Sequence, residues 1–510
     1  MIASARSPGH TPIASSLQPP PPRPRPAPPN PRRHALRRTL SIVTIAWLFG
    51  SVYYSATSGA PITLFAQSLG ASPFQFGLLS AMPFMAALLS LPGSLIIDKT
   101  GQRKRIFLVT HLLHRMLWFP IALVPLWIVS SADSHPQAAQ FAALLAFLVL
   151  VFLNYCGQSL GGPAWFGWMA DIVPERIRGH YFSRRRSIGI LTAIPAAIIT
   201  GLVLDRLTGG AGPTTSVVEP LRILRWCGYI FMVAALFGVI DIALYLKIPR
   251  KPTVPHTQPL LAIFARPMRD KPFLWFSGFT ATMTFAISFM GQFATLYLID
   301  KLKITNTQVQ LILLVAPSVA QLLVLSAWGK AVDRMGRKPV LIIASLGFVP
   351  VGFGWCFMNS GAIWLGYVLG ALGAALYAGV EVAHFNMIME FAQTDENEGT
   401  GSTTYFAVNN VVCNVAGALG GLSSGLIAQA IGENWRWDTG IPGLAPVGYF
   451  EVLFALSAVM RLAAIVVFLP RIHEPEARPA VEALRFMTVN IYNNLFNAIS
   501  LPLRAIRVRR

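Results

Sequence analysis

Two ionisable side chains, Glu381 and His384, lie inside one long apolar run of the sequence, where charged groups are costly. They are three residues apart, so a helix places both on one face. A carboxyl group in a low-dielectric setting keeps its proton to higher pH, and a neighbouring imidazole can exchange that proton near neutral pH. The pair is therefore a candidate for proton coupling or substrate contact. The alternative is a locally satisfied pair that anchors helix packing.

Uncharged polar and aromatic side chains in other apolar runs are further candidates for contact with a substrate. Asn410 and Asn414 lie one helical turn apart and share a stripe. Such side chains can instead link helices to one another. The candidates for contact with substrate or proton are Glu381, His384, Asn386, Tyr54, Asn154, Gln158, Trp165, Gln292, Asn410 and Asn414.

Asp241 and Arg461 occupy equivalent positions in two similar stretches, each thirteen residues after a Gly-Tyr pair. Their opposite charges argue against one shared role. His111, His114 and Arg115 lie in another apolar run at a depth where one of them could pair with Asp241. We expect structural pairing, because an unpaired ion in lipid is costly.

Membrane-spanning helices must position these side chains. Of the 510 residues, 54% are hydrophobic and 12% charged, and the mean hydropathy is +0.55. A soluble protein carries roughly twice that charged fraction. Apolar runs of about 20 residues, the length a bilayer requires, predict an all-α integral membrane protein. The twelve predicted helices are 40–67, 73–97, 105–130, 138–170, 185–205, 226–247, 273–299, 306–331, 338–358, 361–391, 401–430 and 447–470.

The spacing of these runs predicts two six-helix halves with flanking segments. A Pro- and Arg-rich start is expected to be disordered, because it cannot bury a core. The basic C-terminal stretch predicts an amphipathic helix over 478–508 at the membrane surface. The predicted parts are a cytoplasmic tail (1–37), an N-terminal half (38–247), a cytoplasmic linker (248–272), a C-terminal half (273–473) and an amphipathic basic segment (474–510).

The net charge of +20 comes from cations that lie mostly in loops between apolar runs. Most of the 41 lysines and arginines fall in the tail, the even-numbered loops and the C-terminus. This bias predicts a multi-pass protein of the plasma (cytoplasmic) membrane with both termini in the cytoplasm. It also argues against nucleic-acid binding as the explanation of the charge.

A short charged motif occurs twice, each time between the second and third helices of a predicted half. Each copy has an Asp, then a basic residue, a Gly and further cations, as suits a tight loop. An acid, Asp171, ends the fourth helix. The residues of this motif set are Gly93, Asp98, Gly101, Arg103, Lys104, Arg105, Asp333, Arg334, Gly336, Arg337, Lys338 and Asp171.

The paired motif resembles the loop motif of the major facilitator superfamily of secondary transporters. The stretch from Pro163 to Phe182 is similar to a bacterial permease branch whose substrate the sequence does not name. The resemblance implies twelve helices, with the first, fourth, seventh and tenth lining a cavity. It implies a monomeric secondary active transporter that moves a small solute by alternating access, with a proton or other coupling ion. The alternative is a membrane sensor or scaffold derived from a transporter.

The resemblance also implies that the motif acts as a latch. Asp98 would meet the start of the eleventh helix at 399–403 when the cytoplasmic side is shut, and Asp333 would meet the start of the fifth. The acidic turn at 395–398 would engage Arg103, Lys104 and Arg105. The alternative is that the Asp caps only its own turn.

Several other classes of protein lack support in the sequence. No phosphate-binding Gly-rich loop with Lys-Ser/Thr and no hydrolase nucleophile elbow is present. No Cys/His cluster is present, and the four cysteines predict neither a metal site nor a disulfide framework. The sequence therefore predicts a protein that is not an enzyme and needs no cofactor or metal.

Overall fold

The computed structural model of the protein describes residues 31–131, 136–208, 220–250, 267–396, 403–438 and 446–472. It also describes residues 440, 474, 478–479, 481–482 and 484–489. Most of the predicted linker and of the C-terminal segment therefore lies outside the described residues.

Twelve helices within these ranges are long and apolar enough to cross a membrane, as the sequence predicts. The described residues contain no β-strand beyond one bridge between Trp437 and Val447. We number the twelve helices as spans in chain order. Spans 1 to 6 are Ala35–Ser68, Pro73–Thr100, Arg103–Leu126, Gln137–Ile172, Glu175–Leu207 and Pro220–Lys247. Spans 7 to 12 are Lys271–Lys301, Asn306–Met335, Arg337–Phe357, Ile363–Phe391, Thr404–Ile431 and Tyr449–Arg471.

Two helix starts differ from the predictions. Span 5 begins at Glu175, not at 185, because an acid in the first turn suits the positive end of the helix dipole. Three consecutive arginines, 184–186, therefore lie about three turns inside the helix and not at its start. The helix of span 1 begins at Pro31, a residue suited to a first helical position, so residues 31–37 are helical and not disordered.

The two predicted halves pack closely at one end of the bundle. We call this end, where the links run from odd- to even-numbered spans (1 to 2, 3 to 4 and so on), the odd-loop end. The opposite end, where span 1 starts and span 12 ends, is the even-loop end. Gly77 of span 2 packs on Gly425 of span 11 so closely that a Cβ atom on Gly77 would overlap the Gly425 backbone. Gly201 of span 5 packs in the same way on Thr307 of span 8. Small residues allow such close backbone contact, so the halves meet directly at the odd-loop end.

Span 7 breaks at Gly291, whose backbone angles are not helical. The break frees the N–H of Gln292, which donates to Ser80 Oγ of span 2 at 2.9 Å. The Gln292 side-chain oxygen accepts from Thr63 Oγ1 of span 1 at 3.2 Å. These bonds satisfy the freed polar groups and tie span 7 to the N-terminal spans.

An arginine links the third and sixth spans of each half. Arg115 of span 3 donates to Asp241 of span 6 at 3.0 Å, so the pairing expected for Asp241 is present. Arg461 of span 12 donates to the carbonyl of Phe348 in span 9 at 3.2 Å and contacts Met290 Sδ at 3.2 Å. Arg461 is 1% exposed, and no carboxylate of the described residues pairs with it. Among the described residues, the Arg461 guanidinium contacts that carbonyl, that sulfur and the Phe348 ring, whose centroid lies 4.1 Å from Cζ.

Candidate substrate-binding site

A cavity of about 220 Å³ lies between spans 2, 7, 10 and 11, and we call it the C-terminal cavity. Glu381, His384, Asn410 and Asn414 of the predicted set line it, together with Asn409. Residues of span 10 reach this cavity at positions 377, 380, 381, 384 and 388. That spacing is one helical face, so the prediction that Glu381 and His384 share a face agrees with the geometry.

His384 is held by neighbours on two sides. Its Nε2 lies 3.0 Å from Asn409 Nδ2, and its ring stacks on Phe276 with centroids 5.4 Å apart. The Asn409 oxygen accepts from the hydroxyls of Ser277 at 3.1 Å and Thr280 at 3.0 Å. With the amide in this orientation Nδ2 donates, so His384 Nε2 accepts and the neutral ring carries its proton on Nδ1.

Glu381 contacts the opposite half of the protein. Its carboxylate lies 3.9 Å from Nη2 of Arg186 in span 5, and each of these side chains is about half exposed. Arg186 Nη2 also lies 3.5 Å from Gln321 Oε1 of span 8. Glu381 and His384 therefore share one cavity wall but contact different partners, and Glu381 is part of a bridge between the halves.

A second cavity of about 260 Å³, the N-terminal cavity, lies among spans 1, 3, 4, 5 and 6. Tyr54, Gln158 and Trp165 of the predicted set line it. Gln158 Nε2 donates to the Tyr54 hydroxyl at 2.6 Å, and Trp165 Nε1 donates to the Tyr245 hydroxyl at 3.1 Å. These bonds fix polar edges in a wall that is otherwise mainly aromatic.

Arg185 also lines the N-terminal cavity, and the sequence reasoning missed it. Its Cζ lies 4.3 Å from the centroid of the Trp47 ring and 4.7 Å from that of Trp165. Gly189, one turn along span 5, makes room for this stack, because a Cβ atom there would overlap the Trp47 indole. The signal that could have identified Arg185 is the run of cations at 184–186 followed by Gly189.

Three predicted residues lie outside the linings of both cavities. Asn154 is buried and donates to the His114 carbonyl at 2.5 Å, so it joins spans 3 and 4. Gln292 belongs to the contacts around the break in span 7. Asn386 donates to the carbonyl of Val382 in its own helix at 2.8 Å, because its position is turned away from the face that carries Glu381. Asn154 and Gln292 therefore join neighbouring spans, whereas the side-chain bond of Asn386 lies within its own helix.

The first loop motif makes its contacts within the N-terminal spans. Gly101 has φ +61°, the left-handed conformation that ends span 2. Arg103 pairs with Asp171 at 2.6 Å, and Lys104 Nζ donates to the Ile248 carbonyl at 2.7 Å. Gly93 packs directly on the backbone of Leu160.

The second loop motif contacts the C-terminal segment. Gly336, with φ +95°, ends span 8. Glu474 accepts from the backbone N–H groups of Arg337 at 3.0 Å and Lys338 at 2.7 Å, so it caps the first turn of span 9. Arg337 also pairs with Glu390 of span 10, and Arg334 Cζ lies 5.4 Å from the ring centroid of Phe486.

The predicted latch is not formed among the described residues. Asp98 and Asp333 are exposed, and Arg105 lies 3.5 Å from Gln102 of its own loop. Residues 397–402, which include most of the expected partners of Asp98, lie outside the described residues. Within the part of the chain that the structure describes, no group of three or more His, Cys, Asp or Glu side chains could hold a metal ion.

Comparisons with known proteins give the family. The model of the Major Facilitator Superfamily matches residues 39–305 and 274–509. A comparison with curated proteins finds none that matches the chain.

Several solved transporters have a similar fold. A variant of the nucleoside transporter NupG is 14% identical over 86% of this chain and 100% of its own, with TM-score 0.60. A D-xylose–proton symporter is 14% identical over 87% of this chain and 98% of its own, with TM-score 0.60. A POT family transporter in complex with 5-aminolevulinic acid is 13% identical over 86% and 97%, with TM-score 0.58. At these identities the likeness shows the fold.

Proposed function

Because the chain belongs to the major facilitator superfamily, we propose that it is a secondary active transporter that moves a small solute across the membrane by alternating access. The family and the twelve spans make it a multi-pass membrane protein of transporter type. Two cavities lined by polar and aromatic side chains supply space for a small solute. We further propose that the protein acts as a monomer and that it has no enzymatic activity.

We also propose that Glu381 couples transport to protons, because its carboxylate contacts Arg186 of the opposite half. The two residues lie on opposite halves, 3.9 Å apart. Protonation of Glu381 removes its charge and releases Arg186, so it changes the contact between the halves. A proton that alters an inter-half contact is what coupling to alternating access requires.

The orientation of the protein follows from the distribution of lysine and arginine. If the even-loop end, with both termini, faces the cytoplasm of the plasma membrane, the contacts at Gly77–Gly425 and Gly201–Thr307 close the outer side. The structure then corresponds to an inward-facing state. Solute in the cavities would be exchanged with the cytoplasm.

Transport by purified protein tests the proposal. Proteoliposomes that contain a pH-sensitive dye receive sugars, nucleosides, amino acids and organic acids one at a time. At least one solute should move protons together with itself in the wild-type protein. Glu381→Gln should abolish pH-driven accumulation of that solute while exchange of internal for external solute remains measurable.

Glu175→Gln is the matched control, because it also removes one carboxylate but from the exposed start of span 5. It should leave proton movement unchanged. Solute flux that is equally proton-driven in the Glu381 variant contradicts the coupling site. Absence of flux for every solute favours the alternative, a sensor or scaffold that does not transport.

A further inference from the structure

We propose that the N-terminal cavity binds the charged group of a small organic anion and that the guanidinium of Arg185 is its ligand. The inference rests on the proposed transport function, because it names the chemical class of the solute.

The Arg185 guanidinium lies against two indole rings. Trp47 of span 1 and Trp165 of span 4 lie with their ring centroids 4.3 and 4.7 Å from Cζ. The indole rings attract the guanidinium by cation–π contact, but an indole is a donor only and accepts no ordinary hydrogen bond from the arginine N–H groups. Nε of Arg185 is buried and has no hydrogen-bond partner among the described residues. Nε is thus available to an acceptor that the described residues do not supply.

The charge of the cavity is unbalanced in favour of cations. Asp241 is the carboxylate in the lining, and it is bound by Arg115 at 3.0 Å in a pair that is almost fully buried. No carboxylate of the described residues lies within 4.0 Å of Arg185. A cation in a membrane-embedded wall is costly until an anion approaches it. A carboxylate or phosphate matches the planar donor fork of arginine.

The rest of the wall selects the body of the ligand. Phe107, Phe166 and Tyr245 line the cavity beside the two indoles. Such a wall suits an apolar or planar body, while Tyr54 and Gln158 offer one polar contact. The volume of about 260 Å³ lies below the roughly 300–1,000 Å³ of sites for drug-sized ligands. The ligand class is therefore a small organic anion with an aromatic or apolar body.

Thermal unfolding of the full-length protein in detergent tests this with matched probes. Benzoate, benzamide and benzylamine share a phenyl body and differ in charge. Phenylacetate with its amide and phenyl phosphate with phenol extend the comparison. The anions should raise the unfolding temperature of the wild-type protein, and their neutral and cationic counterparts should not.

Variants at the run of arginines assign the site. Arg185→Gln should weaken anion binding about tenfold to a hundredfold, the loss expected for a hydrogen bond to a charged group. Arg185→Lys keeps the charge without the planar fork, so its affinity for the anions should lie between those of the wild type and Arg185→Gln. Arg184→Gln is the matched control, since Arg184 is exposed on the same helix and outside this cavity. It should bind the anions as the wild type does.

Three results would overturn the inference. One is an amide or amine that stabilises the wild type as well as its anion does. Another is equal stabilisation of the wild type and Arg185→Gln by the anions, which would mean that the stacked arginine serves packing alone. The third is that no anion of the panel stabilises the wild type. Anion binding without flux supports this inference and contradicts the proposed transport. Proton-driven flux of a neutral solute supports the proposed transport and contradicts this inference.

Discussion

Asp205 near the end of span 5 caps the first turn of span 8 by binding Thr307 from the opposite half. Its Oδ2 accepts from Thr307 N at 3.0 Å and from Thr307 Oγ1 at 2.6 Å. Its Oδ1 accepts from Asn306 N at 2.6 Å. Helix starts carry free N–H groups and positive potential, so a carboxylate is well suited there. The equivalent contact between spans 11 and 2 is weaker, with Phe74 N 3.4 Å from the neutral Gln429 Oε1.

Replacing Asp205 should open the odd-loop end. Asp205→Ala loses charged hydrogen bonds together worth about 1.5–3 kcal/mol, so the equilibrium constant between the closed and open states should fall roughly tenfold to a hundredfold. Gln429→Ala loses one long neutral bond and should change this equilibrium constant only about twofold. Spin-label distances between positions 206 and 433, in a background without native cysteines, measure the opening. Equal distributions in both variants would contradict the unequal strength of the two caps.

Replacing Arg186 should weaken proton coupling moderately. Arg186→Gln removes the cation that faces Glu381, but both side chains are about half exposed, at 46% and 47%. Such pairs contribute up to about 1 kcal/mol, so proton-driven uptake should fall roughly two- to fivefold, and pH-independent exchange should persist. Arg184→Gln, on the same helix without this contact, should leave uptake unchanged. An unchanged pH dependence in Arg186→Gln would contradict the bridge as a coupling element.

Two ion pairs in the N-terminal spans should differ greatly in their effect on stability. The Arg115 and Asp241 side chains are 3% and 5% exposed, whereas Arg103 and Asp171 are 23% and 32% exposed. Asp241→Asn leaves a buried cation unpaired and should cost about 3–5 kcal/mol. Asp171→Asn should cost less than about 1 kcal/mol. Thermal unfolding in detergent ranks the two variants, and a larger loss in Asp171→Asn would contradict the ranking.

Asp98 should act at the other end of the molecule from Asp205. An acid in the last turn of a helix is disfavoured by the helix dipole, so Asp98 gains little from its own span, and its exposed carboxylate is available to a partner. Asp98→Asn should bias the protein towards the state open at the even-loop end and slow turnover more than it weakens substrate binding. Spin-label distances between positions 99 and 389 measure this bias. Identical distances in variant and wild type would contradict the latch and favour the alternative that Asp98 caps only its own turn.

The sequence predicts the spans well because length and hydropathy decide whether a helix can cross a bilayer. The ionic partner of Asp241 and the shared face of Glu381 and His384 follow from the same depth and periodicity arguments. The prediction failed where polarity was ambiguous. Arg185 is the first residue of the predicted helix 185–205, where a cation suits the membrane surface, and it lies ten residues into the helix only because Glu175 begins it.

Asn154 and Gln292 lie outside both cavity linings for a different reason. A buried amide suits a cavity wall and a helix junction equally well, and only the packing of neighbouring helices distinguishes them. The break at Gly291 places Gln292 among contacts that a continuous helix would not make. Asn386 lies outside the cavity lining because its position on span 10 is turned away from the face that carries Glu381.

The buried arginines of the two halves join corresponding pairs of spans in opposite directions. In the first half the guanidinium comes from span 3 and is received by span 6, while in the second it comes from span 12 and is received by span 9. The span that supplies the guanidinium in one half is therefore the counterpart of the span that accepts it in the other. Two similar bundles can thus keep a polar junction between the same two helices while opposite charges occupy the equivalent position of the sixth helix.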